Sequence, residues 1–230
     1  MDVTIIIFPG TNRENDMEDA LQEVSGDRVR RVWHKTTDIG SPDLIILPGG
    51  FSHGDYLRCG AMAAHSPIMR DVIKKAEKGT PVLGVCNGFQ MLIETQLLPG
   101  ALLKNQSLKF ICKSVYLKTE STDNPFTSKM EKGRVIKVPV AHGEGSFYAS
   151  KDQIRELEDN GQIVFRYCND NGDTALEFNP NGSVSNIAGL TNKTKNILGM
   201  MPHPENAVLT HHNNADGKDF FKSIIETLNS

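Results

Sequence analysis

Residues 82–91 read Val-Leu-Gly-Val-Cys-Asn-Gly-Phe-Gln-Met. Four residues, mostly apolar, lead to a thiol, Cys86, which stands between Gly84 and Gly88, and Phe89, Met91, Leu92 and Ile93 then favour a helix. An apolar run of strand length that turns sharply into a helix is the unit of a parallel sheet covered on both faces. Taken alone, the bracket around Cys86 fits two structures. One is a small hydrophobe at the end of a buried strand. The other is a nucleophile on a strained strand-to-helix elbow.

The same unit recurs on the N-terminal side. Val3 to Phe8 is an apolar run stopped by Pro9-Gly10. Met17, Ala20, Leu21 and Val24 follow at i, i+3, i+4, i+7, which makes one helical face that Gly26 can end. Arg28 to His34 alternates, with Val29 and Val32 among basic residues, and Asp43 to Leu47 is a second buried-type strand ended by Pro48-Gly49-Gly50. Ser66-Pro67 offers an N-cap serine and a proline at the first helical position. Met69, Val72, Ile73 and Ala76 then form an apolar face that stops at Gly79. Strand and helix in alternation, joined by right-handed crossovers, predict an α/β fold: a doubly wound, mostly parallel sheet with helices on both faces.

Beyond Gly100 the pattern changes. Phe110 to Leu117, Arg134 to Val140, Ile163 to Tyr167, Thr174 to Phe178 and Asn186 to Leu190 read as short strands, and Asn181-Gly182 suits a tight hairpin. The C-terminal half is therefore expected to be a partly antiparallel extension, with a strand at Ile197 to Met200 and a closing helix over Asp219 to Leu228. No repeat or linker divides the chain, so residues 1–230 are expected to form a single domain.

The totals exclude several classes. A net charge of −3 over 230 residues carries no basic stripe for nucleic acid, and the short cluster Arg28 to Arg31 reads as a solvated strand edge. No stretch approaches the ~18–20 apolar residues that span a bilayer, and Val3 to Phe8 is too short for a secretory leader. Cys59, Cys86, Cys112 and Cys168 show neither a C-x-x-C pair nor metal spacing, and His211-His212 lacks a partner ligand. The expectation is a cytoplasmic protein with reduced thiols, no metal, no membrane and no nucleic-acid partner.

If the elbow is a nucleophile, its surroundings have work to do. Cys86 would sit at a helix N-terminus, whose partial positive charge favours an anionic sulfur. The Asn87 N–H would be a first-turn amide, free to meet an oxyanion. The glycines would keep side chains away from close backbone and let a planar amide approach. A thiol also needs a base, and the base an orienting group. Met201-Pro-His-Pro-Glu205 supplies both types of residue. Its prolines are expected to hold the segment extended, which puts His203 and Glu205 on one side. A loop histidine beside a solvated glutamate is the plainer reading. The strand before it, however, delivers the segment to a sheet end, where open α/β sheets place their sites. Pro48-Gly-Gly-Phe51 alone reads as a β-turn, but after a parallel strand it can offer a second amide, that of Gly50.

Together and in this order, these features resemble the class I (triad) glutamine amidotransferases, which carry a G-x-C-x-G-x-Q elbow (here Gly84 to Gln90), a Gly-Gly loop and a late His-Pro-Glu. Five blocks are similar to one branch of that family, the small glutaminase subunits of phosphoribosylformylglycinamidine synthases. They are PGGFSHGDYLRCGA at 48–61, GVCNGFQ at 84–90, LPGAL at 98–102, HGEG at 142–145 and MPHPE at 201–205. The likeness runs from Ile5 to Glu205. Asn206 stands where the family often has Arg, and Arg13 where it often has Cys; neither belongs to the triad.

The resemblance implies a triad of Cys86, His203 and Glu205, with the amides of Gly50 and Asn87 as oxyanion hole. It implies substrate L-glutamine held by Gln90 and by the loop His142, Gly143, Glu144, Gly145 and Phe147, mostly through backbone. It also implies that ammonia passes to a large synthetase subunit that uses ATP and Mg, with a third small subunit in the complex. No phosphate-binding G-x-x-x-x-G-K-[ST] or G-x-G-x-x-G follows a strand, so no cofactor is expected in this chain. Three other readings stay open: a stand-alone γ-glutamyl or other cysteine hydrolase on the same scaffold, another class I amidotransferase subunit, and a non-catalytic regulator with a vestigial elbow.

Overall fold

The computed structural model describes residues 1–26, 29–56 and 58–230. Asp27, Arg28 and Leu57 lie outside the described residues, and with them the first residue of the basic cluster. The N-terminal half follows the expected alternation. Strand β1 (Val3–Ile7) leads to helix α1 (Glu14–Ser25), then β2 (Val29–Trp33) and β3 (Leu44–Leu47). Helices α2 (Ala61–Ala64) and α3 (Pro67–Glu77) precede β4 (Val82–Val85), which turns into α4 (Asn87–Glu94). The C-terminal half holds β5 (Ala101–Lys104), β6 (Ile111–Thr119), β7 (Val135–His142), β8 (Glu144–Tyr148), α5 (Lys151–Asp159), β9 (Ile163–Cys168), β10 (Ile187–Thr191), β11 (Ile197–Met200) and α6 (Gly217–Leu228).

Among the described residues, nine strands form one sheet in the order β2-β1-β3-β4-β11-β10-β9-β6-β7, and β5 pairs with β8 in a separate ribbon. From β2 to β11 every pairing is parallel. From β11 to β7 every pairing is antiparallel. The residues of β3 and β4 are all buried, as a strand covered on both faces requires. Each buried Val, Leu or Ile side chain contributes about 1.5–3 kcal/mol relative to exposure. From β1 the chain crosses over through α1 to one edge, and from β3 it crosses through α3 in the opposite direction. Right-handed crossovers therefore place these helices on opposite faces. Helix α6 packs on α1, while α4 rests on β3, β4 and β11.

The sheet is strongly curled. Strand β7 lies four positions from β11, about 19 Å away if the sheet were flat. Yet the His203 N–H, just beyond β11, donates to Pro139 O of β7 at 2.8 Å. The antiparallel half bends round until its edge strand meets the end of the parallel half.

Several local expectations are corrected. Thr174–Phe178 is not a strand. Asn186 Nδ2 donates to Thr174 O (2.7 Å) and Ala175 O (3.2 Å), which takes the carbonyls a ladder would need, and Leu176–Phe178 forms a single 3₁₀ turn. Asn181-Gly182 does not close a hairpin, because the Asn181 side chain is buried and bonded to Gly145 O instead. Helix α5 was not foreseen, although Ser150 and Gln153 form a complete capping box that the sequence displays. Ser66 precedes the first turn of α3, but its hydroxyl bonds His34 Nδ1 (3.1 Å) rather than the helix amides. Strand β2 is indeed an edge; Arg30 donates to Ile39 O and Thr4 Oγ1, and Arg31 to Glu18 and Asn15, so its arginines are paired rather than merely solvated. Among the described residues, no helix is long and apolar enough to cross a membrane.

Candidate active site

Cys86 sits between β4 and α4 with φ 51° and ψ −105°, a conformation that costs a non-glycine residue energy and survives only where the surroundings enforce it. The enforcement is visible. The Cys86 N–H donates to Met200 O at 2.8 Å, extending the β4–β11 pairing one residue into the turn. A Cβ on Gly88 would lie 1.9 Å from Leu47 O, and one on Gly84 would lie 2.5 Å from Leu92 Cδ1 and 2.8 Å from Gly88 C. The bracketing glycines thus let α4 press against β3 and β4. They do not clear a path for the substrate amide, which corrects the expectation drawn from their spacing.

His203 and Glu205 are brought together by a turn rather than by an extended segment. His203 has φ −105° and ψ 85°, and Pro204 begins a 3₁₀ turn over Pro204–Ala207. That turn puts Glu205 Oε1 2.7 Å from His203 Nδ1. Both residues are buried, Glu205 completely. Burial alone would lower the His203 pKa, but the charges of Glu205 and of Cys86 outweigh it and raise the value to about 10. Hydrogen bonding to both side chains adds to the rise, so the ring stands between thiol and carboxylate. His203 Nε2 has no protein partner beyond that sulfur contact. Cys86 Sγ lies 3.7 Å from Ala141 O of β7, so the curled edge strand covers the thiol.

The thiol opens on a cavity of about 230 Å³, lined by Gly50, Phe51, Cys86, Gln90, Phe110 and His142, with Ala141, Gly143 and Glu144 completing that wall. Phe51 and Phe110 are half-exposed and face each other at 6.4 Å across its mouth. A Cβ on Gly50 would meet Gly10 O and Thr11 Cα at 2.7 Å, so the Gly-Gly loop lies flat on the segment after β1. Thr11 and Gly50 are bridged through Phe51 N–H to Gly10 O and Asn12 N–H to Gly49 O. That pairing leaves the Gly50 N–H without an acceptor among the described residues. Asn87 N–H belongs to the first turn of α4, where no intrahelical acceptor exists.

The other named residues divide into two groups. Gln90 lines the cavity; its Nε2 donates to Glu144 O (2.7 Å) and its Oε1 accepts from Asn87 Nδ2 (2.8 Å). The Asn87 carbonyl in turn accepts from Ser52 N–H at 3.0 Å, so its side chain ties the Gly-Gly loop to the elbow. His142 is buried at the wall, and its pKa falls to about 4, through burial first and then the charge of His203. Gly145 and Phe147 do not face the cavity. Gly145 lies under the His142 ring, and Phe147 stacks on Phe89 in the core at 6.4 Å. They belong to β8, which is a strand rather than the expected loop.

Sequence reasoning missed the asparagines that hold this wall. Asn105 bonds His142 at Nδ1 (3.0 Å) and at its carbonyl (2.8 Å), and Asn181 holds Gly145 O (2.8 Å). Asparagine in a turn-rich segment signals a turn, and nothing local marks these two as buried. It also missed Asp55 and Cys59, which line the cavity. Among the described residues, no group of His, Cys, Asp and Glu could hold a metal ion.

Residues 1–224 match a family profile described as CobB/CobQ-like glutamine amidotransferase domain. The chain is 50% identical over 228 residues to phosphoribosylformylglycinamidine synthase subunit PurQ of Chlorobaculum parvum, covering 99% of this chain and 90% of that protein. Among solved structures it is similar to a chain of PurLQS from Thermotoga maritima, with 42% identity, a TM-score of 0.85 and 99% and 98% of the two chains covered. A glutamine amidotransferase from Thermotoga maritima shares the fold at 16% identity, with a TM-score of 0.64 and 100% and 99% coverage.

Proposed function

The chain belongs to the CobB/CobQ-like glutamine amidotransferase family, and from that premise we infer that it is the glutaminase subunit of a phosphoribosylformylglycinamidine synthase. It hydrolyses L-glutamine and delivers ammonia to a large synthetase subunit, which converts formylglycinamide ribonucleotide to formylglycinamidine ribonucleotide in purine biosynthesis. The observation that carries this reading is the strained Cys86 beside the buried His203–Glu205 pair. The 50% identity to a PurQ subunit supports the choice of partner and pathway. The PurLQS likeness supports a third small subunit in the complex. ATP and Mg belong to the synthetase subunit, and the assembly works in the cytoplasm.

The residues support a two-step reaction. His203, raised to about 10, is an imidazolium when it faces the anionic Cys86 sulfur. The sulfur attacks the side-chain amide carbon of glutamine, and the amides of Gly50 and Asn87 receive the oxyanion. Losing one such donor typically costs ~10²–10³ in rate. The carbon–nitrogen bond breaks as His203 gives its proton to the departing ammonia, and the γ-glutamyl thioester remains on Cys86. Formation of the thioester removes the sulfur charge that helped to raise the His203 pKa. The ring is then a neutral base that takes a proton from water as the water attacks the thioester. Glutamate leaves and the thiol is restored. Gln90 and the segment His142–Glu144 border the cavity that would hold the amide end of the substrate, with Gly145 and Phe147 supporting that segment from behind.

Cys86→Ala tests the reading in the reconstituted complex. Glutamine-dependent synthesis should vanish, while synthesis from added ammonium salt continues. Glutamine-dependent synthesis by the variant would exclude Cys86 as the nucleophile.

A further inference from the structure

The pair His211-His212 takes no part in the chemistry above, yet one of its rings closes the segment that carries Glu205. His212 is half-buried in a second 3₁₀ turn, Thr210–His212, which two residues separate from the catalytic turn Pro204–Ala207. Its Nδ1 accepts from Val208 N–H at 3.2 Å and from Leu209 N–H at 3.1 Å. Two successive amides that converge on one point usually hold an anion or an oxygen. Here a ring nitrogen fills that place. Nδ1 accepts only while it carries no proton, which fixes the ring as the neutral Nε2–H tautomer.

The aim of Glu205 depends on that segment. Its Oε1 takes the Nδ1–H of His203, and its Oε2 has no hydrogen-bond partner among the described residues. The carboxylate is therefore directed by the backbone of its own turn. That backbone is fixed at three places. Before the turn, His203 N–H donates to Pro139 O at 2.8 Å. From the side, Gly217 of α6 presses on it so closely that a Cβ would lie 2.1 Å from Pro204 O and 2.9 Å from Ala207 O. Beyond it, Val208 is fully buried and its N–H ends on the His212 ring. Without the ring, that amide would be buried without an acceptor, and the segment would have to shift to find one.

We propose that His212 is a positioning residue of the glutaminase site: it holds the exit of the Pro204–Ala207 turn so that Glu205 stays on His203, and protonation of its ring releases the hold. The proposal rests on the glutaminase reading above and adds a residue that touches neither substrate nor reacting atoms. The groups that face the ring are His211 beside it, at 4.4 Å between ring centres, Asp16 of α1, and Glu205. Asp16 is itself paired with Arg13 at 3.0 Å. Burial lowers the His212 pKa first, the charge of His211 lowers it further, and the two carboxylates oppose both. The hold is thus complete above the ordinary histidine value and is lost as pH falls through the lowered one.

The test measures glutamine hydrolysis by the reconstituted complex, with co-elution of the subunits and circular dichroism to report assembly and folding. His212→Ala should lower kcat about ten- to a hundredfold and leave KM for L-glutamine nearly unchanged, because the cavity wall belongs to other elements. His212→Asn should restore most of kcat, since its Oδ1 can accept where Nδ1 did. The H212N complex should also keep its kcat at acidic pH where the unaltered complex loses it. In a Glu205→Gln background, H212A should have little further effect, because two residues acting through one contact are not additive. A loss that falls on KM, an H212N no better than H212A, identical pH profiles or additive losses each overturns the proposal. If both variants fail to fold, the unaltered chain decides. Its nitrogen-15 spectra should show His212 as the Nε2–H tautomer, and the downfield Nδ1–H signal of His203 should vanish as His212 takes up a proton; a signal that persists overturns the proposal. The parent reading fails separately: Cys86→Ala retaining glutamine-dependent synthesis would remove it, whereas an inactive C86A beside a fully active H212A removes only the positioning role.

Discussion

At the scale of single residues, the chemistry depends on how a buried carboxylate sets the basicity of a buried ring. His203 would lose basicity through burial, and the Glu205 and Cys86 charges reverse that loss. Glu205 also fixes which ring nitrogen faces the sulfur, because its Oε1 takes the Nδ1–H at 2.7 Å. Glu205→Gln keeps the shape, removes one of the raising charges and lets the ring adopt the wrong tautomer. The expected result is a kcat for glutamine hydrolysis about 10²–10⁴ lower, the scale of a general acid–base contribution. The sign for pH follows from the same charges. Without the carboxylate the His203 pKa moves down, so the limb of the pH–rate profile that reports its protonated form shifts to lower pH. A profile that keeps its limbs in place would show that Glu205 does not act through His203.

At the scale of elements, the elbow is one unit: β4, the strained Cys86 and α4 are pressed against β3 without room for a methyl group at position 88. Gly88→Ala forces its Cβ onto Leu47 O, a backbone atom that cannot rotate away. Overpacking of this kind costs about 1–3 kcal/mol and sometimes more. Here it also pushes α4, with the Asn87 amide and Gln90, away from the cavity. The variant should therefore show both a lower Tm and a loss of glutamine-dependent activity. Full activity with unchanged Tm would mean that the helix–strand contact is looser than drawn. Capping is the other element-scale lesson. Ser150-Lys-Asp-Gln153 starts α5 with both reciprocal bonds formed, and that helix was legible to anyone who weighed the box against the apolar pair Ile154 and Leu157.

For the whole molecule, the site exists because a sheet curls. Gly50, Cys86 and Gln90 come from the parallel half, whereas Phe110, Ala141, His142 and Glu144 come from around β6, β7 and β8. A ligand between them ties the two halves together and should stabilise the fold as a unit. For Cys86→Ala, which binds without turnover, L-glutamine at about 100 times Kd should contribute about 2.7 kcal/mol. For a chain of this size that is a rise of about 5–10 °C in Tm, readable by calorimetry. Absence of any shift would mean that the amino acid does not bridge the halves.

What the amino-acid sequence determined by itself is everything that a short window can encode. Periodicity and breakers placed β1, α1, β2, β3, α3, β4, α4, β6, β7, β9, β10, β11 and α6 within a few residues, the motif order singled out Cys86, His203 and Glu205, and the family resemblance added Gln90. Tertiary structure alone decided the rest. It turned Thr174–Phe178 away from a strand, sent Phe147 into the core, made Asn105 and Asn181 into buried supports and brought Asp55 and Cys59 to the cavity. The reason is physical. A hydrophobic pattern states which face of an element is buried, but not which distant element buries it. The contact between His203 and β7 arises from the accumulated curl of the antiparallel strands, a property carried by no single segment.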